Sequence, residues 1–283
     1  MMKFIVAFLF CTLSTYAQDY QLGKINLMQV ESTEILEAKK KRINNQYYLY
    51  LPKDYTEDDD NKKPLVIMIH GLGILGDDIN MINMIPVVRE AMQSDTLDYM
   101  LLAPQMFGKS NKISPKLPKQ IKNTSPQIKA LVDEVVKKYN VDKYRIYVTG
   151  LSLGGFTTWQ LVQDYPDFFA AAVPVCGGDF NKGENIDSLT TTPIWTFHSR
   201  DDATVPFSLK YQKDKNINVG STYVWGFGRV CITTADIVYM LNEKQATNVH
   251  QFTIFTDKGH NSWDSAYSNQ DMWEWMMKQK LVD

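Results

Sequence analysis

The pentapeptide Gly150-Leu151-Ser152-Leu153-Gly154 constrains this chain more than any other stretch, because of what stands on either side of it. Arg145 to Thr149 (RIYVT) is branched and aromatic and reads as a strand, while Phe156 to Asp164 has the apolar spacing of a helix. A GxSxG segment at a strand-to-helix junction is the setting that a nucleophile elbow requires. A serine there is held in a strained backbone conformation, and glycines two residues before and after it let strand and helix approach without Cβ clashes. Its hydroxyl then points out from the carboxyl edge of a sheet.

The rest of the chain supplies that sheet. Asn45 to Leu51 reads as a strand stopped by Pro52, and Leu65 to Ile69 as a central parallel strand covered on both faces, ending at His70-Gly71-Leu72-Gly73. Met81 to Met92 has helical spacing, Tyr99 to Ala103 is a short strand, Gly108 to Pro126 is a long Lys/Pro-rich polar loop, and Gln127 to Tyr139 is a helix. Ala170 to Val175 and Ile194 to His198 are further strands. Phe207 to Thr233, with glycines among Tyr223, Trp225 and Phe227, reads as an insertion. Thr234 to Gln245 is a helix capped by Thr233 or Thr234, Gln251 to Phe255 a strand, and Gln270 to Lys280 the last helix. This βαβα alternation predicts an α/β fold, a mostly parallel central sheet flanked by helices, with an insertion at about 207–233.

Serine is a poor nucleophile unless a base takes its proton, so a histidine oriented by a carboxylate must lie within reach. An elbow fold supplies them in the chain order Ser, Asp or Glu, His. His70 precedes the serine, His198 leaves little room for an intervening acid strand, and His250 begins a strand that would fix its side chain. His260, in a loop behind Gly259, remains. Asp201 and Asp202 compete for the acid position, and the placement relative to Val205-Pro206 favours Asp202. Attack on a carbonyl also needs donors for the developing oxyanion: the amide after the nucleophile and one from the loop after an early strand, places that Leu153 and Leu72 fit. Trp263, three residues after His260, offers an aromatic face to a sugar or aromatic acid, or packs.

With 283 residues and 44% apolar content the chain can bury the core of one α/β domain. Its 30 basic and 32 acidic side chains nearly balance, which suggests neither nucleic acid nor an anionic membrane as partner. Lys3, the apolar run Phe4 to Leu13, and small residues Thr15 and Ala17 predict a cleaved leader at 1–17 and an exported catalytic domain at 18–283. No later stretch is long enough to span a bilayer, so no stable membrane insertion is expected. Removing the leader leaves Cys176 and Cys231, either a disulfide or two buried thiols. No CxxC or HExxH spacing calls for a metal, and no cofactor is expected. Nothing here sets the oligomeric state.

The blocks YLYLPKDY, PLVIMIHGLGILGDD, LLAPQ, YRIYVTGLSLGGFTTWQL, AAAVPVCGGD, TPIWTFHSRDDATVP and GHNSWDSAY, from about Tyr48 to Lys280, resemble secreted α/β-hydrolase esterases. The resemblance is to esterases related to polyhydroxybutyrate depolymerases and feruloyl or acetylxylan esterases, of prolyl-oligopeptidase-like kind. The resemblance implies a Ser152, Asp202, His260 triad, an oxyanion hole at Leu72 and Leu153, and a small-molecule or polysaccharide ester as substrate, with acetyl and feruloyl groups as options. Two departures stand out: Ile74-Leu75 replaces a more polar stretch, and the insertion follows the acid loop. A serine peptidase with the same triad is the alternative, though such peptidases usually carry a large extra domain. A silent carbohydrate-binding protein is a third.

Overall fold

The computed structural model describes residues 20–108, 116–208, 231–244 and 250–282. Its elements are β1 (Lys24–Gln29), α1 (Thr33–Leu36), β2 (Ile43–Leu51), β3 (Lys63–Ile69), α2 (Pro86–Gln93), β4 (Met100–Met106), α3 (Leu117–Lys138), β5 (Val141–Leu151), α4 (Leu153–Asp164), β6 (Ala171–Val175), β7 (Gly178–Asp179), β8 (Trp195–Ser199), β9 (Ile232–Thr233), α5 (Thr234–Glu243), β10 (Gln251–Phe255), α6 (Trp263–Tyr267) and α7 (Gln270–Lys278). An 8-stranded sheet runs in the order β1-β2-β4-β3-β5-β6-β8-β10. From β4 to β10 the neighbours are parallel, and β1 and β2 add an antiparallel flank. β7 and β9 form a separate antiparallel ribbon.

The alternation of side chains along the central strands sorts them into two cores. Leu65, Ile67 and Ile69 of β3 face one way and pack with Ile128 and Leu131 of α3, Trp159 of α4 and Ile237 of α5. Val66 and Met68 face the other and meet Val88 of α2, Tyr267 of α6 and Met272 of α7. Period-two exchange of faces is why an unbroken apolar run suits a strand covered on both sides.

Two expected elements differ from what forms. The long polar loop is helical from Leu117, so α3 contains Pro126 instead of starting after it. Tertiary anchors hold the helix beside the proline: Gln127 Oε1 accepts from the Arg42 amide at 2.7 Å and its Nε2 donates to the Lys40 carbonyl at 3.0 Å. The helix expected over Met81 to Met92 divides into a 3₁₀ stretch, Ile79–Met84, and α2. Pro86 divides them, because the residue before a proline is driven out of the helical region, and Ile85 sits at φ −74°, ψ 127°. The N-terminus of α5 does carry a capping box between Thr233 and Asp236. Among the described residues no helix is long and apolar enough to cross a membrane. The leader and residues 209–230 of the insertion, with Trp225 and Phe227, lie outside the described residues.

Candidate active site

Ser152 sits alone between the end of β5 and the start of α4, at φ 53°, ψ −116°. A positive φ is costly for a residue with a Cβ, and two main-chain bonds hold it: the Ser152 amide to the Val175 carbonyl at 2.9 Å, and the Phe156 amide to the Ser152 carbonyl at 3.0 Å. The flanking glycines are required by space. A Cβ on Gly150 would stand 2.5 Å from the Gly154 carbonyl oxygen, and one on Gly154 would run into the Ile69 carbonyl oxygen. Gly155, which the pentapeptide does not include, is as constrained: a Cβ there would lie 2.5 Å from the Val175 carbonyl oxygen.

The sheet order brings the other two residues to this point, since β5, β6, β8 and β10 are successive neighbours and their carboxyl ends share one edge. His260 follows β10, and its Nε2 lies 2.9 Å from Ser152 Oγ. Its Nδ1 lies 2.8 Å from Asp202 Oδ2. An Nδ1 facing a carboxylate carries the hydrogen, which leaves Nε2 as the acceptor for the serine hydroxyl. Asp202, after β8, is buried, and its Oδ1 accepts the amides of Thr204 and Val205, each at 2.8 Å. Burial pushes this carboxyl up, but donors from His198 and His260 more than offset it and hold it well below the usual carboxylate range. Of the two competing aspartates, Asp202 is the one paired with His260.

Asp201 has a different task. Its Oδ1 accepts the Gly259 amide at 2.9 Å and the Ser199 hydroxyl, while Ser199 Oγ accepts the Lys258 amide at 3.1 Å. It fastens the loop that carries His260. Gly259 itself takes φ +55°, a conformation that favours glycine.

Leu72 and Leu153 line the same cavity as Ser152, His260 and Trp263, a space of about 400 Å³. The Leu153 amide opens α4 and so has no acceptor within the helix. Gly71 lets its loop lie against the elbow, since a Cβ there would meet Leu151 Cδ1 at 2.8 Å. Buried His70 pins that loop: its Nδ1 donates to the Gly71 carbonyl and its Nε2 accepts the Met106 amide, both at 2.7 Å. Burial pushes this imidazole down to about 4. The Trp263 ring stands T-shaped to His260, centroids 5.4 Å apart, so it packs the base and lines the cavity at once.

Other walls had no signal in the sequence. Met84, Ile85 and Pro86, Leu117 at the start of α3, and Val205 complete an apolar lining. Leu117 fell within the expected loop, and only the helix found there places it at the site. Cys176 and Cys231 are both free thiols and buried. Burial pushes both thiols up, away from reactivity.

A family model described as the Prolyl oligopeptidase family matches residues 118–201, from α3 to the acid loop. Poly(3-hydroxyalkanoate) depolymerase C of Paucimonas lemoignei is 41% identical over 64 residues, 23% of this chain and 16% of that protein. Feruloyl esterase B of Thermothelomyces thermophilus is 25% identical over 161 residues, 56% of this chain and 52% of that one. The chain thus spans about half or less of these relatives' length. The crystal structure of a thermostable esterase superposes with a TM-score of 0.60 at 27% identity, covering 83% of this chain and 59% of that one. The parallel sheet with helices on both faces, the elbow at the end of β5 and these likenesses agree: this chain has the α/β-hydrolase fold and is similar to esterases and to a depolymerase.

Proposed function

We propose that this chain hydrolyses carboxylic esters through an acyl-enzyme on Ser152. The observation that carries the reading is the continuous chain Ser152 Oγ, His260 and Asp202, with contacts of 2.9 and 2.8 Å, at a strained elbow open to a cavity. Ser152 Oγ attacks the ester carbonyl carbon as its proton passes to His260 Nε2. The carbonyl oxygen takes the electron pair and is received by the amides of Leu72 and Leu153. Collapse breaks the bond to the alcohol, which leaves with the proton from His260. Water then repeats the sequence and releases the acid, with Asp202 ionised throughout.

The relatives named for feruloyl ester and poly(3-hydroxyalkanoate) cleavage support an ester substrate. Of the acetyl and feruloyl options for a carbohydrate-linked ester, the cavity favours the larger. Its apolar walls enclose about 400 Å³, far more room than an acetyl group fills, and Trp263 gives an aromatic acid a face to lie against. Export after cleavage behind Ala17 is part of the same reading, and N-terminal sequencing of the protein recovered outside the cytoplasm tests it.

A fluorophosphonate should label Ser152, and short aryl esters should be turned over, with both lost in Ser152→Ala. Wild-type protein that does neither sinks the proposal. The Prolyl oligopeptidase family match favours a second reading, peptide hydrolysis by the same residues. Comparing an aminoacyl ester with the corresponding amide separates them, because a peptidase turns over the amide as well, although more slowly than the ester, whereas an esterase leaves the amide uncut. Releasing ferulate in preference to acetate from plant polysaccharide is the expected result for the substrate.

A further inference from the structure

His198 has no place in the steps just given, yet it touches their acid. It is the fourth residue of β8 and is fully buried. Its Nε2 lies 2.9 Å from the Val205 carbonyl oxygen and 3.2 Å from Asp202 Oδ2. Both neighbours are acceptors, so this nitrogen carries the hydrogen. Nδ1 is buried with no partner among the described residues. The Phe207 ring packs T-shaped against the imidazole at 5.8 Å and fixes its plane.

Val205 is thereby held by both of its main-chain groups: its amide donates to Asp202 Oδ1 at 2.8 Å and its carbonyl accepts from His198. The turn from Asp202 to Val205 cannot rotate without breaking one of these. Asp202 Oδ2 in turn lies between two imidazole nitrogens, 2.8 Å from His260 and 3.2 Å from His198.

We propose that His198 is a positioning residue for the hydrolysis: it locks the turn that aims Asp202 at His260, and it shares the carboxylate so that His260 is not over-stabilised in its protonated form. This rests on the functional reading above. A carboxylate in a dry site favours a neighbouring imidazolium strongly, and a second N–H facing the same oxygen draws off part of that effect. The other titratable groups near this carboxylate are Asp201, bonded to Ser199 and Gly259, and Cys176, whose thiol burial keeps protonated. On the His260 loop, Lys258 pairs with Asp257 and Asp264 accepts from Asn261.

The test is an NMR titration of the His260 ring, assigned against His260→Ala, in wild type and three variants. His198→Gln places an amide donor where Nε2 stands, His198→Asn falls short of it, and His198→Phe keeps a ring against Phe207 without a donor. The expected result is that Asn and Phe move the His260 titration and the acid limb of kcat/KM together to higher pH, while Gln leaves both within error of wild type. Over kcat and KM, the loss should fall on kcat. If the Asn and Phe variants lose thermal stability with an unmoved His260 titration, or if Gln shifts it as they do, His198 is merely a packed core residue and the proposal is overturned. The titration needs no substrate, so wild-type protein without ester turnover would sink the functional reading and leave this one still measurable.

Discussion

The main-chain amide of Gly259 donates to Asp201 Oδ1 at 2.9 Å, which ties the residue before His260 to the residue before Asp202. The contact between His260 and Asp202 is thus flanked by a second contact between the same two loops. Asp201 is held below the usual carboxylate range, first by the Ser199 hydroxyl and then by the Gly259 amide, although it is mostly exposed. Asp201→Ala should therefore cost little stability but let the His260 loop drift. We expect kcat for an aryl ester to fall about tenfold with KM nearly unchanged, against a fall of about 10⁴-fold for Asp202→Ala, measured side by side by steady-state kinetics. Equal losses in the two variants would show that Asp201 takes part in the chemistry.

The glycines around the elbow make a stability prediction with an internal control. Gly154→Ala puts a Cβ into the Ile69 carbonyl oxygen, main chain that cannot swing aside, whereas Gly73→Ala meets nothing within 4 Å. The first should destabilise by roughly 3 kcal/mol or fail to fold, and the second should leave the denaturation midpoint within about 0.5 kcal/mol of wild type. Urea unfolding of both checks it.

Much of this site was legible because its parts sit at fixed places along the chain. Ser152 announces itself through glycines whose only purpose is close approach, and the Ser, Asp, His order with a strand before each left His260 and Asp202 in view. Geometry then distinguished the two aspartates by what each one bonds on the same loop, Asp202 the His260 ring and Asp201 the Gly259 amide. What could not be read was contact between segments distant in sequence: Leu117 and Met84 reach the cavity through α3 and the 3₁₀ stretch, the first hidden in a proline-rich segment that reads as a loop, the second in a helix that Pro86 divides. His198 was passed over as a base, and nothing in its neighbours Phe197 and Ser199 shows that its ring turns inward to Asp202. Edge strand β1 and the β7–β9 ribbon escaped notice because short or half-exposed strands lack a continuous apolar run.

Acid should weaken the fold through buried imidazoles before it reaches the carboxylates. His70 is pushed from 6.5 down to about 4 by burial, so between those values the native ring stays neutral while the unfolded ring takes up a proton. The unfolded state then binds more protons, and stability rises with pH across this window. The contribution is fully present above about pH 6.5 and is lost as pH falls to about 4, on the order of 3 kcal/mol in total. His250, lowered by burial, adds in the same direction. Urea midpoints measured from pH 7.5 to 4 should fall accordingly, and His70→Gln should flatten the slope without abolishing it. A slope unchanged by that substitution would place the proton uptake elsewhere.

Met84 offers a way to test the acyl pocket without disturbing the core. It is 62% exposed, yet it lines the cavity beside Ile85 and Pro86, so its side chain stands at the mouth. A charge there is solvated in the free protein and has little effect on folding, but it must be desolvated or displaced when an apolar acyl group enters. Met84→Asp should accordingly leave thermal stability unchanged while raising KM for a feruloyl ester about tenfold, a cost of roughly 1.4 kcal/mol in binding, and should barely alter turnover of an aryl acetate, whose acyl group ends near Ser152. The two substrates assayed with one preparation separate loss of the pocket from loss of the machinery. If acetate turnover fell as far as feruloyl turnover, the variant would have damaged the elbow or the His260 loop, and the cavity beneath Met84 would not be where the acyl group lies.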